Sequence, residues 1–204
     1  MVSDAPAREL LMDAAEMLIA ERGMTVTLRE LAAAAGQRNN SAVIYHFGGL
    51  DGLVAATLQR RMDSLEPRRA ELLAGLDADA GPADIVAAIV GPALTIPYEQ
   101  GATHYARFVE SIRVHSVIAE LQPSSSQWPV VMSLIRRLTP HVPGGRRAQT
   151  RRIRLMATAM FSLMADYERR DELASPRKRA RATEELTALL VALVITPVAV
   201  PTIG

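Results

Sequence analysis

Apolar residues return at three- and four-residue intervals along almost the whole of this chain, and nowhere do they alternate convincingly with period two. That rhythm puts one apolar stripe on a helix, so it restricts the fold to packed helices without a sheet. Leu10, Leu11, Ala14, Ala15, Leu18 and Ile19 give a first helix over about residues 6–22, stopped at Gly23. Thr27-Leu-Arg-Glu30 has the form of a capping box, in which the hydroxyl accepts from the Glu30 amide while the Glu30 side chain reaches back. It opens a short helix over 28–35 that buries Leu28, Leu31, Ala32 and Ala35. Gly36 permits a sharp turn with positive φ, and a third short helix is expected over about 39–46. Asp51 starts a fourth, disturbed or ended near Pro67. Beyond Gly81-Pro82, helices are expected over 83–97 (bent at Gly91-Pro92), 102–121, 125–139, 146–170 and 178–196. The expected architecture is all-α, with a small N-terminal three-helix domain, residues 1–49, and a larger helical bundle, residues 50–204.

Several functions fall away on composition. The 204 residues are 49% hydrophobic but only 4% aromatic, so the core must be built from Ala, Leu, Val, Ile and Met. The absence of cysteine removes disulfides, thiolate zinc sites and cysteine nucleophiles together. No HExxH, phosphate loop, Gly-x-Ser-x-Gly or paired metal motif is present, so no catalytic centre, metal or cofactor is expected. The N-terminal segment is amphipathic and carries acids, unlike a signal peptide. The longest apolar run, LLVALVIT at 189–196, is far below the roughly 18–20 residues that cross a bilayer. A soluble, cytoplasmic protein with no membrane partner is the expectation.

Net charge is +1, unevenly spread. Residues 1–62 hold six Arg against seven Asp and Glu, whereas 136–181 hold thirteen Lys and Arg against four acids. The basic surplus therefore lies away from the stretch that carries the strongest motif.

That stretch is AAAAGQRNNSAVIYHFGGL, residues 32–50. Two short helices joined by a tight glycine-containing turn form a helix-turn-helix, whose second helix reads the DNA major groove from its N-terminal end. The residue types suit that task. Arg38 can bond guanine, Asn39 or Asn40 adenine, and Ser41 is short and tolerant. Tyr45 and His46, a turn later, are placed to meet phosphates, and Thr27 with the amides opening the 28–35 helix can hold another. Arg29, in the same first turn, completes the DNA-binding set. The competing reading is that these are ordinary turn and cap residues.

The order of features separates the two. AAxxLIAERG, then TLRELAAAAG, then a polar segment closing on YHFG and an acid-Gly-Leu, resembles the N-terminal domain of the tetracycline-repressor (TetR) family over roughly residues 8–56. Against the family pattern, the linker after Gly23 is one residue shorter and the segment from Gly36 to Phe47 one longer. Ile44 stands where the family usually has a tyrosine, Tyr45 follows one place later, and Leu50 replaces a common lysine.

The resemblance implies a ligand-binding and dimerisation role for the larger half: a homodimer through residues about 146–170 and 178–196, double-stranded DNA with a palindromic operator as partner, and a small-molecule effector in a helical cavity. Met156, Met160, Leu163 and Met164, with Leu186, Leu189, Leu190, Leu193 and Val194, independently give two apolar faces there. Candidate cavity linings are Tyr98, His104, Tyr105, Phe108, Ser111, Trp128, Met132 and Met160. His104 and His115 share a helical stripe but lie about 16 Å apart along it at 1.5 Å per residue, too far to chelate one metal. Glu110 with Arg107 and Arg113 reads as surface ion pairs, and the basic 169–181 segment as a solvated loop. The function expected is a ligand-responsive dimeric transcriptional regulator, acting as a repressor, and not an enzyme; a helical protein-interaction module without DNA binding is the alternative.

Overall fold

A computed structural model describes residues 4–99, 104–113 and 127–197. Nine α-helices and no strand occur among them. They are α1 (Asp4–Arg22), α2 (Leu28–Ala34), α3 (Ser41–Phe47), α4 (Leu50–Gly75), α5 (Pro82–Glu99), α6 (Tyr105–Ile112), α7 (Pro129–Leu138), α8 (Arg146–Arg169) and α9 (Pro176–Ile195). The all-α expectation holds. No single helix among the described residues is long and apolar enough to cross a membrane.

α1, α2 and α3 make the N-terminal unit, with α3 set against the start of α4. Leu11, Ala15, Ile19, Leu31, Val43, Leu53 and Val54 fill its core. α4 continues into the larger half, where it packs on α5 and α7, while α5 packs on α9 and α6 lies between α1 and α8. The capping box forms as the sequence predicts: the Thr27 hydroxyl accepts from the Glu30 amide and the Glu30 carboxylate accepts from the Thr27 amide at 2.8 Å.

Three departures from expectation have a visible cause. The third helix begins at Ser41 rather than near 39, because the Asn39 side-chain oxygen accepts from the Ser41 amide at 3.0 Å and holds 39–40 as a turn. α4 runs straight through Pro67. The rung that proline removes lies on the exposed face, and the buried residues flanking it, Leu65 and Arg69, hold the helix by packing. α9 starts at Pro176, two residues early, with Pro in its first turn and the Ser175 hydroxyl accepting from the Lys178 amide. The expected helices 102–121 and 125–139 are seen as α6 and α7; residues 114–126, including His115, lie outside the described residues.

Candidate nucleic-acid interface

The corner between α3 and α4 decides how the proposed reading helix is presented. Gly48 ends α3 with φ +75°, a left-handed conformation that glycine takes without strain. At Gly52 a Cβ would fall 1.8 Å from the Phe47 carbonyl oxygen, so only glycine lets α4 start this close to the end of α3. The Arg8 guanidinium sits 5.1 Å over the Phe47 ring and ties the same corner to α1.

A second device fixes α1 to α4. The Arg61 guanidinium meets Glu16 through two bonds, 2.6 Å from Nε and 2.9 Å from Nη2, and both residues are buried. Arg60 beside it reaches Glu9 at 2.8 Å, Asp13 at 2.8 Å and Glu16 at 3.7 Å. On the far side of the unit, Arg22 pairs with Glu30 at 2.7 Å. The Glu30 carboxyl is held down to about 2, first by the Thr27 amide and hydroxyl and then by Arg22. Glu21 lies 3.8 Å from His104.

These pairings resolve the charge problem posed by the sequence. Glu9, Asp13, Glu16 and Glu30, four of the seven acids in residues 1–62, are set against arginines away from α3. The open concavity at the α2–α3 turn is lined by Gly36, Gln37, Arg38, Asn39, Ser41, Ala42, Tyr45 and His46, with no acid among them. A net balance of −1 therefore coexists with a local surface that carries a cation and no acid.

The structure brings the predicted polar residues together there. Arg38, Asn39, Asn40 and Ser41 are all exposed. Tyr45 is 76% exposed and its ring stands edge-on to His46, whose ring is half-buried. The Asn39 oxygen accepts from the Ser41 amide before α3, which leaves its amide nitrogen and one further acceptor site for a partner. Thr27 and Arg29 are exposed at the start of α2, but the Thr27 hydroxyl already donates to Glu30 at 2.7 Å. Sequence reasoning missed two residues of this surface. Gln37 lines the concavity, and Ile44 is 54% exposed on the outer face of α3. Its place one helical turn after the polar Asn40 and Ser41 was the available signal for Ile44.

The eight candidate cavity residues are less uniform. Tyr105 and Phe108 are wholly buried, Trp128 and Met160 nearly so, and Ser111 and Met132 are half-buried. Tyr98 donates its hydroxyl to Glu168 at 3.1 Å, and Glu168 also accepts from the Arg107 amide at 2.8 Å, so Tyr98 serves to hold α5, α6 and α8 together. His104 is partly exposed at the head of α6 and its pKa is lowered, first by burial and then by Arg107. None of the eight lines either of the two other concavities, one beside Leu155 and Leu193 and one at the α4–α5 turn. Glu110 pairs with Arg169 rather than within its own helix, and Arg107 with Glu168 at 3.3 Å. Helical spacing offered a partner that tertiary packing outbid.

The two apolar faces of the last helices divide. Met156, Met160, Met164, Leu186, Leu190 and Val194 are buried within the chain and Leu163 is half-buried. Leu189 and Leu193 on α9, joined by Leu155 on α8, stay 47%, 38% and 44% exposed. The basic 169–181 segment is not all loop. Its end forms the first turns of α9, with Arg179 buried on the Leu173 carbonyl at 3.1 Å and Lys178 on the Asp171 carbonyl at 2.6 Å.

Residues 11–57 match the family described as bacterial regulatory proteins, tetR family. The whole fold is similar to solved structures of such proteins. A protein from Shewanella sp. PV-4 described as a tetR family transcription regulator aligns with TM-score 0.65 and 11% identity, over 94% of this chain and 99% of that one. A TetR-family transcriptional regulator from Rhodococcus sp. aligns with TM-score 0.58 and 15% identity, over 93% and 99%. NalD of Pseudomonas aeruginosa, the secondary repressor of the MexAB-OprM multidrug efflux pump, aligns with TM-score 0.52 and 16% identity, over 96% and 100%. No curated protein matches the sequence.

Proposed function

We propose that this chain, whose residues 11–57 match the tetR family, is a homodimeric, ligand-responsive transcriptional repressor of the cytoplasm that binds a palindromic operator with α3 in the major groove. The observation that carries this reading is the exposed set Arg38, Asn39, Asn40, Ser41 and Tyr45 around an acid-free concavity at the head of a short helix. Arg38 and the asparagines supply base-edge donors and acceptors, while Tyr45 and His46 supply phosphate contacts. A weakly charged unit gives modest non-specific affinity, so a second copy is needed to bind tightly. Leu155, Leu189 and Leu193 offer the apolar surface on which two copies meet, and their exposure on adjacent helices supports a four-helix interface. Two reading helices then require half-sites one or more helical turns apart. An effector within the larger half weakens operator binding to the extent that it prefers the dimer whose heads are misspaced.

Selection of bound sequences from a random DNA pool, with sedimentation of the protein at matched concentrations, tests the reading. The expected result is a two-fold symmetric site, a dimer, and affinity that falls steeply with salt. Recovery of no enriched sequence, or binding with a flat salt response, would favour the interaction module instead.

A further inference from the structure

We propose that the interior of the larger half, where α4 faces α5 and α6 beside Trp128, binds a small molecule with an apolar body and a carboxylate head, and that Arg69 takes the carboxylate. Calling that molecule the effector rests on the regulator reading; the site itself does not.

Arg69, on α4, is 2% exposed. Its Nη2 donates to the Ile89 carbonyl of α5 at 3.3 Å, while Nε and Nη1 are buried with no hydrogen-bond acceptor among the described residues. Tyr105, at the start of α6, is wholly buried, and its hydroxyl is likewise without a partner there. So is the indole N–H of Trp128, which is 2% exposed. The three belong to one region. Tyr105 and Arg69 lie near enough for each to act on the other's ionisation, and the chain after Trp128 is pinned to α4 one turn before Arg69, where Glu66 accepts from the Val130 and Val131 amides at 2.8 and 3.2 Å.

A buried donor without an acceptor costs about 1–3 kcal/mol, and more when charged, so several in one quarter of a core require an explanation. The Arg69–Glu66 pair accounts for the net charge but not for the donors. Glu66 stands 3.7 Å from Nη1, beyond hydrogen-bond length, and both of its oxygens are engaged at α7. What the region has in surplus is donors, and the group that answers a guanidinium with a neighbouring phenol is a carboxylate. Burial depresses the Arg69 pKa, with Tyr105 and Glu66 opposing, and an arriving anion would restore it. The surrounding side chains are apolar, with Ile89 and Phe108 buried and Phe161 edge-on to Tyr105 at 6.5 Å between ring centroids, so the rest of the molecule must be apolar as well. Ordered water could meet the same donors, and the test separates that case.

Trp128 is the only tryptophan, so fluorescence excited beyond the tyrosine absorption band reports on this region alone. The probes are octanoate and phenylacetate, each against its neutral amide, read by Trp128 emission and by the melting temperature. Expected is a saturable response to at least one acid, weaker by about tenfold or more for its amide. Arg69→Met should lose at least about tenfold in affinity for that acid and Tyr105→Phe about threefold, with helicity by circular dichroism unchanged. No saturable response to either acid, an equal response to acid and amide, or wild-type binding by Arg69→Met overturns the proposal and leaves water as the occupant. If Arg69→Met does not fold, the acid–amide pair on the wild type and Tyr105→Phe decide. Binding of a selected DNA fragment is followed in the same samples. Acid bound with DNA affinity unchanged keeps the site and removes its effector role, whereas DNA binding without any acid response removes the site and keeps the regulator reading.

Discussion

The reading head and the interior of the larger half treat arginine in opposite ways. In the head, Arg22 and Arg61 are each matched to carboxylates within the chain, and Arg38 is displayed to solvent. In the interior, Arg69 is enclosed with two of its three guanidinium nitrogens unmatched. A cation in water loses little while it waits for a partner, because hydration already satisfies it; an enclosed one bears the desolvation cost continuously. The first arrangement suits a surface that is ready at all times. The second suits a site completed only when something enters.

Four substitutions break or sharpen this contrast. Glu16→Ala strips the buried partner from Arg61 and should cost about 3–5 kcal/mol, read as a lower urea midpoint with unchanged slope. A smaller change in the opposite sense is expected for Arg69→Met in the ligand-free protein. Removing buried donors that lack acceptors in favour of a flexible apolar chain of similar length should raise stability by about 1–3 kcal/mol; a loss of similar size would mean that Arg69 is already satisfied, and the contrast would vanish. Arg38→Ala should leave the melting temperature unmoved and remove about 1–3 kcal/mol of sequence discrimination in competition binding. Equal discrimination by this variant and the wild type would take Arg38 off the reading surface. The smallest effect belongs to Glu30→Gln. The folded pKa of about 2 lies below the ordinary 4.5, so the stabilisation is fully present above pH 4.5 and is lost as pH falls towards 2. Chemical denaturation of both proteins should show a gap that is constant above pH 5 and closes through that window.

What the sequence disclosed depended on how local the cause was. The capping box at Thr27 and Glu30 forms within four residues, so it was legible and its bonds are present. Pro67 was read as a break because its cost is local, whereas the packing of Leu65 and Arg69 that overrides it comes from distant elements. Periodicity located the stripes on α8 and α9 but not which neighbour each one meets; most of their methionines and leucines turned inward, and Leu155, outside the expected set, stayed exposed. The polar cluster of the reading head was legible by residue type, yet the start of its helix was displaced by a single bond from the Ser41 amide to the Asn39 side chain. Arg69 was not noticed at all, since an arginine on a helix is usually solvated. The clue was its register: Leu58, Met62, Leu65 and Arg69 follow one another on a single buried stripe, and only the last is polar.

α4 runs unbroken from the head into the larger half, with Arg61 and Arg69 on either side of Pro67. At that proline the ladder lacks a rung, and bending stiffness along a rod is least where a rung is missing. The axis therefore has its most compliant point between the turn that grips the head and the turn that carries the enclosed guanidinium. A few degrees of tilt at that point, multiplied by the length of the lower arm, would change the span between two heads in the dimer proposed above.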